Sequence, residues 1–274
     1  MKIVALLTVR NEELYLARCL QHLHEQGIAT CVIDNDSTDA SLDIAHAYKA
    51  RGVFRIERQA YPGYFDLVAQ LTNKEHLARD INADWYIHLD ADEIREAPIK
   101  GQTLHEAICA ADRQGFNAIN FDEFTFLPPA GSESFEATDY VDTMRHYYFF
   151  QPGPLRRVNA WKNTGQTIDL VSKGGHQVLF EGQQIDPENF IMRHYIVLSP
   201  RHAIAKYTRE RVYSETEIRE RRWHGVRARF TADKLNLPES SRMKCIDTGV
   251  WDRSDPWLKH TFLGDLPEYP CRKP

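Results

Sequence analysis

Residues 84–96 read "DWYIHLDADEIRE": strand-forming residues from Trp85 to Leu89 give way to Asp90, Asp92 and Glu93 within four positions. Carboxylates this close repel one another unless water screens them or something positive neutralises them. Acidic side chains are mostly exposed, so a solvated loop is one reading. A bound divalent cation is the other. Where the turn sits in the fold decides between them, and the flanking sequence gives that position.

Upstream, "KIVALLTV" (2–9) is a continuous apolar run of strand length. Leu16, Ala17, Leu20 and Leu23 then trace one helical face, opened by Asn11 and stopped by Gly27. "ATCVI" (29–33) reads as a second buried strand, and "DNDSTD" (34–39) supplies capping residues ahead of Leu42, Ile44, Ala45 and Tyr48. "VFRIE" (53–57) is a third strand. After the turn-rich "QAYPGY" (59–64), Asp66 caps a helix carrying Leu67, Leu71, Leu77, Ala78 and Ile81, and "WYIHL" is the fourth strand. Downstream, Thr103 and Glu106 form a capping box for "LHEAICAADRQ" (104–114), and Gly115 ends it before "NAINFDEFTF" (117–126). This alternation predicts an α/β fold with a mostly parallel central sheet and helices on both faces. Ligands of such sheets sit at the carboxyl ends of the strands. "LLTVRNEE", "VIDNDSTD" and "HLDADE" all lie where a strand runs out, so they share that edge, which favours a ligand or metal role for the acidic turn.

Composition narrows the possibilities. The 274 residues suit one domain of about 250 residues with additions. A net charge of −5 with both signs interspersed exerts no general pull toward nucleic acid or an anionic membrane. Cys19, Cys31, Cys109, Cys245 and Cys271 form no CxxC pair and read as reduced thiols. The apolar run at the N-terminus is about six residues, short of a signal h-region. No later stretch approaches the roughly 18 apolar residues of a membrane span. The expectation is a cytoplasmic protein without a membrane span.

Together, "LLTVRNEELYLARCLQHLHEQG", "CVIDNDSTDASLDIAHAY" and "DWYIHLDADE" resemble nucleotide-sugar glycosyltransferases of the GT-A fold, family 2-like, in order and spacing over about the first 125 residues. The resemblance implies a Rossmann-like nucleotide-binding half, an Asp-x-Asp metal site, and transfer of one sugar from a nucleotide-sugar donor, UDP-linked by similarity, to a glycan or other hydroxyl acceptor. Polysaccharide assembly is the setting that the family suggests. By similarity Thr8, Arg10 and Asn11 hold the nucleoside, Asp34 accepts from the base, Asp90 takes the ribose hydroxyls or supports the ion through water, and Asp92 coordinates the ion. Asn11 capping the first helix is a second reading of that residue. Glu93 reads equally as a partner of the ion site or a solvated acid. The resemblance also sets Gln59 and the Tyr61 to Tyr64 loop at the border of the nucleotide, although turn chemistry alone explains Pro62 and Gly63. The chemistry suits these residue types: a diphosphate leaving group gathers negative charge, and a hard cation such as Mn or Mg on oxygen ligands offsets it.

Beyond residue 126 periodicity fades among Pro128, Pro129, Gly131, Pro152, Gly153 and Pro154. We expect residues 1–126 to be the nucleotide-sugar half, 127–230 the acceptor-side half of the same domain, and 231–274 a tail. "HQVLFEGQQI" (176–185) reads as a hairpin. "FIMRHYIVLSPRH" (190–202) reads as a strand leading into a long helix capped by Ser199 and Pro200, whose arginines and glutamates from 201 to 229 make a salt-laced face. His194, Tyr195, Ser199 and Lys206 are similar to a closing pattern of these transferases, which makes His194 a third metal ligand or diphosphate contact and sets Lys206 on the phosphates. His176 is the rival ligand. An inverting transfer needs a base. Strand alternation sends one of Asp122 and Glu123 inward, and Glu123 is the candidate ahead of Asp122, with Asp139, Asp142 and Asp169 open. A sugar-phosphate nucleotidyltransferase would want a glycine-rich loop after the first strand, which "TVRNEE" lacks. The third reading is an inactive nucleotide-sugar-binding module.

Overall fold

A computed structural model describes residues 1–246 and 250–264. Its first part alternates as the periodicity requires: β1 (Ile3–Val9), α1 (Glu13–Glu25), β2 (Ala29–Asp34), α2 (Ser41–Ala47), β3 (Val53–Arg58), α3 (Leu67–Asp80) and β4 (Trp85–Leu89). These strands are parallel, in the order β3-β2-β1-β4. Alternate residues of β1 serve opposite layers. Ile3, Ala5, Leu7 and Val9 pack with Leu16, Leu20 and Leu23 of α1, whereas Val4 and Leu6 pack with Leu71, Leu77 and Ala78 of α3. Covered on both faces, the strand is apolar at every position but Thr8.

The remainder is β5 (Glu93–Glu96), α4 (Leu104–Arg113), β6 (Ala118–Phe126), α5 (Tyr140–Thr143), β7 (His146–Phe150), β8 (Val158–Lys162), β9 (Phe190–Tyr195), α6 (Pro200–Ala205) and β10 (Lys244–Cys245). The sheet continues from β4 through an antiparallel β8 to β6, β7 and β10. The capping box of α4 forms as expected, with Thr103 and Glu106 each reaching the other's backbone. β9 is the strand that builds the site. It runs parallel to β6 and antiparallel to β5, which sets His194 opposite both Glu93 and Thr125. The Tyr195 amide donates to the Asp92 carbonyl at 2.8 Å.

Three local expectations are corrected. Glu12, not Asn11, precedes α1, and the residues directly before α1 and α2 make no capping bond of their own; Asp39 from the 34–39 stretch instead accepts from the first amides of both, Ser41 at 2.9 Å as expected and Glu13 at 3.0 Å. Residues 176–185 form no hairpin, because Leu179 exchanges backbone hydrogen bonds with Asp169 rather than within the segment. The long helix is short: Ser199 caps α6 as expected, a π-helical turn Lys206–Glu210 follows, and Arg211 turns extended. The reason is tertiary. Arg211 is drawn to Glu12 at 3.1 Å, and Val212 accepts from the Phe65 amide at 2.6 Å.

Residues 257–263 fold back on this second part. Trp257 stacks on Tyr148 with centroids 4.2 Å apart, and Phe262 and Leu263 are buried. Cys19, Cys31, Cys109 and Cys245 form no disulfide among the described residues, and Cys271 lies outside those residues. No helix among the described residues is long and apolar enough to cross a membrane.

Candidate active site

The acidic turn between β4 and β5 is neutralised from within the protein. The Glu93 carboxylate is buried and accepts from Arg95 at 2.6 Å and from the Asp90 amide at 3.1 Å, so it shapes the turn and is no solvated acid. Asp92 is 7% exposed. Its Oδ2 accepts from Lys206 Nζ at 2.9 Å, and its Oδ1 faces His194 Nε2 at 3.7 Å. Burial alone would raise the Asp92 pKa, yet Lys206 and His194 hold it well below the usual carboxylate range. Lys206 also donates to the Ile196 carbonyl at 2.8 Å, which fixes its ammonium at the end of β9. Asp90 is exposed and lines the cavity.

His194 connects this turn to β6. Its Nδ1 lies 2.6 Å from Glu123 Oε1, and Glu123 also accepts from Arg157 Nε at 2.8 Å. Burial would lower the His194 pKa, but Asp92 and Glu123 outweigh it and push the value up to about 10. A histidine that ligates a metal commonly donates its other ring N–H to a carboxylate. Glu123 stands in that position, leaving Nε2 toward Asp92 across a gap too long for a hydrogen bond. The residues therefore fit a divalent cation held by Asp92 and His194. No cluster of three or more His, Cys, Asp or Glu side chains with metal-site geometry occurs among the described residues. Two protein ligands suffice where substrate phosphates and water complete the shell. His176 does not join them: its Nδ1 faces Arg157 at 2.6 Å and its Nε2 faces Arg156 at 2.9 Å.

The expected base candidates lie elsewhere. Neither Glu123 nor Asp122 lines the cavity. Alternation did not separate them into one buried and one exposed residue, because side chains from elsewhere in the chain meet both; both are at most 5% exposed. Glu123 is committed to Arg157 and His194, and Asp122 to Arg253 at 2.6 Å and Asn189 at 2.9 Å.

The loops after β1 and β2 interlock. Arg10 donates to the carbonyls of Asn35, at 2.7 Å, and Asp36, and its guanidinium lies 3.4 Å over the Tyr61 ring. Asn11 adopts φ 55° and accepts from the Thr38 amide at 2.8 Å. Gln59 receives the Asn73 amide at 2.9 Å. Thr8 Oγ1 and Asp34 Oδ2 are buried without a hydrogen-bond partner. Two orphaned polar atoms at adjacent strand ends mark a place where a polar ligand group is wanted.

The edge opens onto a cavity of about 500 Å³. Nine lysines and arginines line it against five acids, an excess of four positive charges in a chain of net charge −5. Several of these residues carry no signal in the hydrophobic pattern. Lys74 is an exception: it sits on the apolar stripe of α3 with Leu71, Leu77 and Ala78, and that misplaced lysine was the available signal. Its Nζ reaches His88 Nδ1 at 2.8 Å, and burial lowers its pKa to about 8. Glu12, raised by burial to about 7 against the pull of Lys206 and Arg211, pairs with Arg211 from 199 residues away. Arg156 and Arg157 come from the aperiodic Pro/Gly stretch and carried no pattern. The arginine-rich segment from 222 to 227, expected on a helix face, lines the cavity instead.

Residues 5–95 match the family model described as Glycosyl transferase family 2. No curated protein matches the chain. Among solved structures, S. aureus TarS 1-349 is 11% identical, with 71% of this chain and 60% of that one covered and a TM-score of 0.44. The same protein in complex with UDP is 12% identical over 74% and 62%, also at 0.44. Glucosyl-3-phosphoglycerate synthase from Mycobacterium tuberculosis, in complex with Mn2+, UDP and phosphoglyceric acid, is 16% identical over 45% and 43%, with a TM-score of 0.29. The chain thus spans about three fifths of the length of TarS 1-349. Likenesses this distant leave the functional reading to the residues of this chain.

Proposed function

We propose that this chain, whose residues 5–95 match the Glycosyl transferase family 2 model, moves a single sugar from a UDP-sugar to a hydroxyl acceptor with inversion and with the help of a divalent cation. One observation carries the reading: at the carboxyl edge of the parallel strands, Asp92 and His194 face each other over a cationic cavity, backed by Lys206 and Glu123. Residues 1–126 hold the donor in this reading, and 127–230 complete the acceptor side.

Each residue then has a task. Thr8 Oγ1 and Asp34 Oδ2 offer their unpaired atoms to the nucleoside, Tyr61 on Arg10 forms one wall, and Asp90 accepts from the ribose hydroxyls. Asp92 and His194 would hold the cation, which when bound offsets the charge that gathers on the departing diphosphate. Lys206, fixed by Asp92 and Ile196, adds a positive charge at the same end. Glu123 keeps the His194 ring oriented. For the acceptor proton, Asp90 and Glu210 are the cavity carboxylates with no hydrogen-bonded cation among the described residues.

The test is calorimetric titration of UDP with Mn, with chelator, and with Asp92→Ala. Tight binding is expected in the first case alone; equal affinity in all three would reject the cation site. A screen of UDP-sugars for slow hydrolysis then identifies the donor.

A further inference from the structure

A chain of contacts leads away from the donor edge. From Asp92 it passes to His194, to Glu123 at 2.6 Å, to Arg157 at 2.8 Å, to His176 at 2.6 Å and to Arg156 at 2.9 Å. Along it, carboxylates match cations as far as Arg157. Past that point they run out. Among the described residues Arg156 has His176 as its one hydrogen-bond partner, and its Nε is buried with none. Arg227 lines the same cavity and is electrostatically coupled to both Arg156 and His176, yet its side chain makes no hydrogen bond or ion pair among the described residues. Like charges gathered in a partly buried wall repel, just as the clustered carboxylates of the acidic turn would without their cations. Among the described residues the nearest counter-charge is Glu123, which is already bonded to Arg157 and His194.

We propose that Arg156 and Arg227, with His176 beside them, form an anion subsite separate from the donor's diphosphate, and that the acceptor is a hydroxyl compound carrying a phosphate group. The proposal rests on the glycosyltransferase reading. Guanidinium forks match the several oxygens of a phosphate, and a wall of two arginines offers it more donors than a neutral glycan can use. The phosphate would anchor the acceptor while its hydroxyl reaches toward Asp92.

The test titrates glycerol 1-phosphate, and glycerol as control, into the UDP-saturated protein by calorimetry. The wild type should bind the phosphate compound and not glycerol. Arg156→Gln and Arg227→Gln should each weaken that binding by about tenfold or more, with Arg156→Lys recovering part of it and UDP affinity staying within about twofold. Arg227 is half-buried and unpaired, so its variant keeps the fold, as an unchanged melting temperature would verify. Two results overturn the proposal: no phosphate binding to the UDP-loaded wild type, or UDP affinity falling together with phosphate affinity, which would give the arginines to the donor. Failure of UDP to bind the wild type sinks the transferase reading instead. Arginine-dependent binding of glycerol 1-phosphate to the nucleotide-free protein would then keep the anion subsite, and its absence would remove that too.

Discussion

Replacing Glu123 by Gln separates two roles that a loss of activity would confound. Glu123 is 1% exposed and accepts two charge-assisted hydrogen bonds, from Arg157 at 2.8 Å and His194 at 2.6 Å. Gln keeps one acceptor oxygen and loses the charge, so Arg157, 8% exposed, is left without its counter-ion. Breaking a buried pair from one side costs about 3 kcal/mol or more, which for a chain of this size lowers the melting temperature by roughly 6 to 12 °C. The same change releases the His194 ring, and loss of such a supporting carboxylate weakens metal affinity by about 10- to 100-fold. Mn-dependent UDP binding should therefore fall by that factor, measured at a temperature where the variant remains folded. A catalytic base behaves differently: its amide variant binds donor and metal normally and fails in turnover. If Glu123→Gln keeps Mn-dependent UDP affinity within about twofold while turnover collapses, Glu123 is the base and not a positioning residue.

Other outcomes follow from single contacts. Lys206→Met removes the cation from Asp92; UDP affinity should drop about tenfold or more even with Mn present, and an unchanged value would remove Lys206 from the diphosphate end. Gly175→Ala places a Cβ 2.9 Å from His88 Nε2 at φ +75°, so the fold should lose about 1–3 kcal/mol in denaturant titration; no loss would mean the Gly174–Gly175 turn is not locked against the cavity floor. His22 is buried, with its Nε2 2.7 Å from the Arg95 carbonyl, and burial lowers its pKa to about 4. A depressed folded value means that the unfolded chain takes up the proton first. The stability this residue contributes is complete above about pH 6.5 and is lost as pH falls toward 4, by about 3 kcal/mol. His22→Gln should flatten that part of the pH–stability curve, and parallel curves would refute the assignment.

Hydrophobic period alone was enough to place β1 to β4, their helices and β6, because a strand covered on both faces must be apolar and a helix covered on one must repeat every three or four residues. The shared carboxyl edge came with that order, and with it the acidic turn at the mouth of the site. Local sequence could not show that Asp92 meets Lys206 from 114 residues away, or that β9 would deliver His194 between Asp92 and Glu123. Nor could it show why the helix after Ser199 ends at Glu210, since the charge spacing there satisfies a helix, and it is the half-buried Glu12 carboxylate just past β1 and the Phe65 amide that hold Arg211 and Val212 out of it. Arg156 and Arg157 had no period to read, and the helical charge pattern over 222–227 was overridden, because irregular backbone takes its shape from the surface it covers. Secondary structure answers to neighbours along the chain; the pairing of buried charges answers to neighbours in space, and the cavity is built from such pairs together with Arg156 and Arg227, which have no ion pair among the described residues.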